Sequence, residues 1–459
     1  MKVLNLKDNT TYSSERTSHS KDIGDISDYL VLDRIANCDI SDLMDENNNS
    51  LLVYPNSFGE CDDRIGSQKL FTLQKICWDK GRCVKATLST GNVAGFIKFD
   101  GMHVTIHSRF SHSDDEDFFL HYMLEKVLGV NLFSLTYGVT DDPVFDYLLC
   151  MFPKLLSEAL RQGIYKEYQR HEYNDSNIRG TVNINRHLKY NIPFNGSISY
   201  SVREFSYDNM VTELIRHTIE YICSKKIGKA LLESSPQIMT DVRQIISVTP
   251  RYNKFDRERI VRGNLKMITH PYFVKYASLQ KLCLRILRGD KVKYKSRENE
   301  IYGILFDVSY LWEEYLAEHL MRHGFLHPDN RKQKGRIYLT SKNDFPRYPD
   351  YYRDANRTVI DAKYKKEMDP RNDVNQMITY MYRLKSLHGI LLHPSTGSSC
   401  IRDTYQLLGY GASEKADLST IHFHVPQSAD NYRSFKSQMV AEEKTMIDNI
   451  NMVTNKNWF

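Results

Sequence analysis

PDYYRDANRTVIDAKYK, residues 349–365, reads as two short strands around a turn. Asp354, Ala355, Asn356 and Arg357 supply turn chemistry, because Asp and Asn side chains bond to nearby backbone and tolerate left-handed dihedrals. If Arg353 pairs with Thr358, the register sets Asp350 opposite Asp361. Directly opposed residues share a face, with Cβ atoms ~5 Å apart. Lys363 follows Asp361 by two residues, so alternation along a strand returns it to the same face. Two acids and one amine then converge on a point.

That trio has a chemical use. Two carboxylates can share a hard divalent cation, which seeks oxygen ligands. Such a cation stabilises developing charge at phosphorus and lowers the pKa of bound water. An ammonium beside it can hold the nucleophile and offset charge on a scissile phosphate. Asp-x-Lys alone is often a surface ion pair, and Pro-Asp alone often a turn. Here Thr358, Val359 and Ile360 lead into Asp361, and an acid ending a buried strand is costly unless paired or metal-bound.

Working outward, 305–321 has Val308, Leu311, Trp312, Tyr315 and Leu316 at helical spacing, with Glu313 and Glu314 at the edges of that stripe. After the site, a helix near 370–386 sets Gln376 and Tyr380 one turn apart on one face. Runs at 336–340, 389–394, 404–408 and 420–425 read as strands, and 430–450 as a helix. This alternation predicts an α/β domain over 301–459, a mixed sheet flanked by helices.

The amino-terminal half reads differently. Short β-branched and aromatic runs over 68–110, with Asp100-Gly101 between two of them, predict hairpins. An acidic first turn at 114–117 opens a helix to about 128. The middle region, 141–300, is mostly helical, with an extended segment at 178–188. Within it, 251–298 carries 14 Lys and Arg against 4 Asp and Glu. That patch makes Lys291, Lys293 and Lys295 candidate nucleic-acid contacts, and Arg179, upstream of it, is a further candidate. The division expected is therefore an unassigned extension 1–67, a β-rich domain 68–140, the helical middle 141–300 and the α/β domain 301–459: a multidomain α+β protein.

The 459 residues carry a net charge of only +5 and eight scattered cysteines without a CxxC pair, so neither a zinc ribbon nor a disulfide framework is suggested. The chain has no phosphate-cradling GxxxxGK[ST] loop of its own. No apolar run nears the ~20 residues that span a bilayer, and the amino terminus lacks the apolar core of a secretion signal. No membrane role and a cytoplasmic location are expected.

The order LWEEYL, PD, DAKYK, then Gln376-x-x-x-Tyr380 resembles the nuclease domain of McrC-type proteins, which belong to McrBC and LlaJI-like restriction systems and to the PD-(D/E)xK superfamily. NVAGFIKF with VTIHSRF, Arg179-Gly180 and 203–222 resemble that family further upstream. The resemblance implies a restriction-endonuclease-like fold for 301–459. It implies Asp350 and Asp361 as metal ligands, Lys363 as the catalytic amine, Glu313 in preference to Glu314 as the helix acid, and Gln376 and Tyr380 in support. The cofactor would be Mg2+, with Mn2+ as its substitute. The partners would be an McrB-like AAA+ GTPase or ATPase, contacted through 68–140, and double-stranded DNA. The expected function is the nuclease subunit of a modification-dependent restriction complex that also stimulates the partner's hydrolysis. Two rivals stay open here: a non-cleaving scaffold that activates the partner, and a stand-alone repair or mobile-element nuclease.

Overall fold

The computed structural model describes residues 2–14, 29, 31–46, 51–55, 68–79, 82–113, 116–129, 143–225, 228–292, 301–330, 333–398, 400–409 and 415–455. They form two compact units, one from 1–139 with 297–459 and the other from 140–296.

The first unit opens with β1 (Lys2–Lys7), β2 (Thr11–Ser13), β3 (Leu51–Tyr54), β4 (Phe71–Asp79), β5 (Arg82–Thr90), β6 (Val93–Phe99) and β7 (Met102–His107). The β6–β7 hairpin turns at Asp100 and Gly101, with φ of 49° and 76°. Positive φ at both central residues matches the strand twist and favours Asp-Gly. One sheet runs β2-β5-β4. Alternate residues such as Leu73, Leu88, Val104 and Ile106 fill the shared core. Helix α1 (Phe118–Leu128) follows, capped by Asp117, whose carboxylate accepts from Leu120 N.

The second unit holds α2 (Pro143–Leu160), then an antiparallel sheet of β8 (Glu167–Asp175), β9 (Thr181–Val182) and β10 (Ile198–Ser206). Its larger helices are α3 (Met210–Cys223), α4 (Pro236–Val248) and α5 (Val274–Val292). The extended reading of 178–188 holds only for β9. Asn183 caps a short helix, Ile184–Tyr190, by accepting from Arg186 N, a start signal that the apolar alternation masked.

The chain returns to the first unit as β11 (Tyr302–Asp307), which sits between β6 and β3 in a sheet ordered β1-β7-β6-β11-β3. This differs from the expected division in two ways. Segment 1–67 is no separate extension, since β1 and β3 belong to that sheet, and the 301–459 segment begins inside it. Leu305 therefore belongs to a strand, not to the following helix. Ile304, Leu305 and Phe306 are all fully buried, and a strand covered on both faces reads as an unbroken apolar run that periodicity cannot tell from helix. Gly95 and Gly303 let β6 and β11 approach closely. A Cβ on Gly95 would lie 2.2 Å from Ile304 O, and one on Gly303 2.4 Å from Phe96 O.

Helix α6 (Val308–Arg322) starts at Asp307, which accepts from Ser309 N and Tyr310 N. A short ribbon of β12 (Ile337–Tyr338) and β13 (Pro346–Arg347) precedes β14 (Tyr351–Arg353) and β15 (Thr358–Ala362). Then come α7 (Asn372–Leu384), β16 (His388–Ser395), β17 (Cys400–Leu407), β18 (Ala416–His424) and α8 (Tyr432–Thr454). The mixed sheet runs β14-β15-β16-β18-β17, with β15, β16 and β18 parallel. Met377 and Met381 of α7 pack on the face bearing Val359, Leu391 and Leu418. Phe423 points the other way and meets Trp312 and Tyr315 of α6 at 5.5 and 6.1 Å. Among the described residues no helix is long and apolar enough to cross a membrane.

Candidate active site

The hairpin register is the one the sequence implies: Arg353 pairs with Thr358 and Tyr351 with Ile360. The turn closes through Arg357 N donating to Asp354 O at 3.1 Å, with Arg357 at φ 50°. One step beyond the pairing, Asp350 Oδ2 accepts from Ala362 N at 2.8 Å, which holds its carboxyl beside Asp361. Lys363 Nζ lies 2.7 Å from Asp361 Oδ2. The expected trio converges.

Burial makes this cluster electrostatically tense. Asp361 is 1% exposed, in a region where an uncompensated ion costs several kcal/mol. Burial, then the charges of Glu313 and Asp361, push Asp350 well above the usual carboxylate range. For Lys363 burial favours the neutral amine, but Asp361 and Asp350 outweigh it and hold its pKa above the ordinary value. Asp361 Oδ2 is buried and has no aligned hydrogen-bond donor; the Lys363 contact is an ion pair off the hydrogen-bond direction.

The helix residues sort themselves clearly. Glu313 lines the same cleft as Asp350, Asp361 and Lys363. Glu314 turns instead to His327, 3.5 Å away. His327 stacks on Tyr351 at 4.7 Å and bonds Asp350 O through Nδ1 at 2.9 Å. On α7, Gln376 Oε1 accepts from Lys363 Nζ at 2.8 Å. Gln376 Nε2 donates to Tyr380 OH at 2.6 Å, and Tyr380 OH donates to Tyr348 O at 3.0 Å. This relay fixes the ammonium in place.

The cleft has a volume of about 510 Å³ and includes residues that sequence reasoning missed: Asn9, Asn92 and Arg109 from the amino-terminal sheet, and Arg347 from β13. No local pattern marks them, since only the tertiary fold brings them to the site. Arg179 belongs to the other unit, where it stacks over Tyr173 at 5.1 Å and its Nε donates to Tyr200 OH at 3.3 Å. Lys291 is near the end of α5, and Lys293 and Lys295 lie outside the described residues.

The donor set fits a hard cation. The ligands would be carboxylate oxygens, one of them buried without an aligned donor, and magnesium characteristically takes one or two carboxylates while keeping waters. Among the described residues no group of three His, Cys, Asp or Glu side chains stands ready as a complete cage, so water or substrate oxygens would complete the shell.

The model of the McrBC 5-methylcytosine restriction system component family matches residues 88–394. Among solved structures, one from an assembly of Thermococcus gammatolerans McrB AAA+ hexamers with bound McrC is similar at 15% identity. It covers 98% of this chain and 100% of that one, with a TM-score of 0.47. A second, from the McrBC complex of the same organism, is 13% identical over 70% of this chain and 87% of that one, with a TM-score of 0.30. No curated protein matches the chain.

Proposed function

This chain belongs to the McrBC 5-methylcytosine restriction system component family, and from that premise we propose that it is the system's McrC-type nuclease subunit, a PD-(D/E)xK enzyme cutting DNA phosphodiesters. The observation that carries the reading is the convergence of Asp350, Asp361 and Lys363 in one cleft. Asp350 and Asp361 would hold Mg2+, or Mn2+ in its place. When bound, the cation supplies charge stabilisation at phosphorus and a more acidic water.

The remaining steps belong to side chains. Lys363, aligned by Gln376, orients the attacking water and faces the negative charge that builds on the phosphate. Glu313 accepts a hydrogen bond from water at the rim of the site. Tyr380 fixes Gln376 and so the direction of the amine. The convergence of Asp350, Asp361 and Lys363 supports a cutting subunit over a non-cleaving scaffold.

The partner is an McrB-like AAA+ NTPase, GTP- or ATP-driven, whose hydrolysis the chain stimulates. Large exposed apolar residues cluster in the 140–296 unit, with Ile184, Ile192 and Phe194 each more than 60% exposed. Among the described residues of 68–107, apolar side chains such as Phe71, Leu88, Val104 and Ile106 are packed into the core. The exposed apolar surface of 140–296 is therefore proposed as a docking face alongside the expected 68–140.

The test is magnesium-dependent cleavage of duplex DNA by the chain with its NTPase partner. Asp361→Ala and Lys363→Ala are expected to lower the rate by about 10³-fold or more, with stimulated nucleotide hydrolysis unchanged. Cleavage that persists in either variant, at matched salt and magnesium, removes the assignment.

A further inference from the structure

We propose that Asn9, Asn92 and Arg109, carried by the amino-terminal sheet, form a phosphate-binding wall of the same cleft, so that the substrate site is shared between the two ends of the chain. The proposal rests on reading this cleft as a DNA-cutting site.

Size comes first. Six waters around a cation take about 180 Å³ of liquid volume, and the cleft offers about 510 Å³. The remaining space accommodates a phosphodiester. Charge comes next. A phosphate approaching Asp350, Asp361 and Glu313 meets like charge, so its other oxygens need donors from elsewhere.

The amino-terminal sheet provides them in fixed positions. Asp8 is fully buried and accepts from Arg109 Nε at 2.9 Å and from Nη2 at 2.5 Å. Arg109 Nη2 also donates to Asn92 Oδ1. The guanidinium lies over the Tyr364 ring, 4.9 Å from its centre. These contacts use one edge of Arg109, and no described residue accepts from Nη1. Because Asn92 Oδ1 is committed to Arg109, its amide NH2 is the group left to donate outward. Asn9, at φ 45°, is anchored by its own backbone N–H to Gly91 O at 2.9 Å, and its side chain has no partner among the described residues.

An amide NH2, a second amide and one edge of a guanidinium thus line a cleft that also holds two paired carboxylates. Phosphate oxygens accept from this set, and hydrogen bonds to a charged group are worth more than neutral ones. The Asp8 carboxylate largely balances the Arg109 charge, so the wall acts through directed donors more than through net charge.

The test is binding of a fluorescent duplex oligonucleotide to the full chain in calcium, where no turnover intervenes. Asn92→Asp keeps an oxygen for Arg109 and replaces the outward NH2 with an anion. Asn9→Gly removes the side chain while tolerating the left-handed backbone. Each is expected to weaken binding about tenfold or more, with an unchanged melting temperature. Wild-type affinity in Asn92→Asp, or no DNA binding by the wild-type chain, overturns the proposal. Cleavage that survives Asp361→Ala instead overturns the nuclease reading, and the two failures are read in different assays.

Discussion

Tyr364 donates its hydroxyl proton to Ser108 Oγ at 2.9 Å, joining the residue beside the site lysine to a loop 256 positions earlier. Its ring also meets Phe110 edge-on at 5.2 Å. Lys363 and Lys365 face α7, and Tyr364 turns the opposite way and pins the strand from behind. Tyr364→Phe keeps the packing and is expected to cost about 0.5–1.5 kcal/mol, read by urea unfolding. Tyr364→Ala is expected to cost about 3–5 kcal/mol and to lower the cleavage rate as well, because Lys363 loses its backing. Equal stability of the two variants would contradict this account.

Glu443 on α8 accepts hydrogen bonds from Tyr122 of α1 at 2.8 Å and from Tyr315 of α6 at 2.9 Å. Burial alone raises its pKa, but His319, Tyr122 and Lys126 together bring it below the usual carboxylate value. Glu443→Ala leaves two buried hydroxyls without an acceptor. The expected cost is about 2–4 kcal/mol, measured by denaturant titration. A loss under 1 kcal/mol would show that water replaces the carboxylate.

His393 is 3% exposed. Burial, with His422 edge-on at 4.2 Å, pulls its pKa down to about 4. An unfolded imidazole titrates near 6.5. Between those values the unfolded chain binds a proton that the folded chain refuses. The stability from this residue is complete above pH 6.5, falls as the solution is acidified, and stops falling below about 4. His393→Phe is expected to flatten that slope by one proton, at most about 1.4 kcal/mol per pH unit. Unfolding midpoints measured across the window decide it, and superimposable wild-type and variant profiles would sink it.

Docking of the NTPase partner is expected to fail when charge enters the exposed apolar surface of the 140–296 unit. Ile192→Asp with Phe194→Asp should weaken partner binding at least tenfold, about 1.4 kcal/mol or more, while leaving the melting temperature unaltered. Both positions are more than 60% exposed, so little folding energy depends on them. Undiminished binding would move the docking surface elsewhere.

The hairpin at 351–362 was legible because every determinant is local: turn residues at 354–357, strand alternation, and an apolar run ending in Asp361. Gln376 and Tyr380 were legible for the same reason, as neighbours one helical turn apart. The choice between Glu313 and Glu314 is made by His327, which draws Glu314 away, and that contact depends on packing rather than on spacing. Arg109 and Asn92 gave no signal, since their meaning comes from β1 lying beside β7 and from Tyr364 reaching the loop after it. Strand β11 was misread because both of its faces are covered, which erases the period that separates strand from helix.

The position of β11 also constrains how the protein can be made or divided. It pairs with β6 on one side and β3 on the other, yet it is synthesised after the whole 140–296 unit. Until residue 307 has left the ribosome, the two neighbouring strands expose open hydrogen-bonding edges, the kind of surface that recruits foreign strands. A fragment ending near 300 keeps that gap permanently and should aggregate, and a fragment beginning at 308 surrenders the strand from which its first helix is launched.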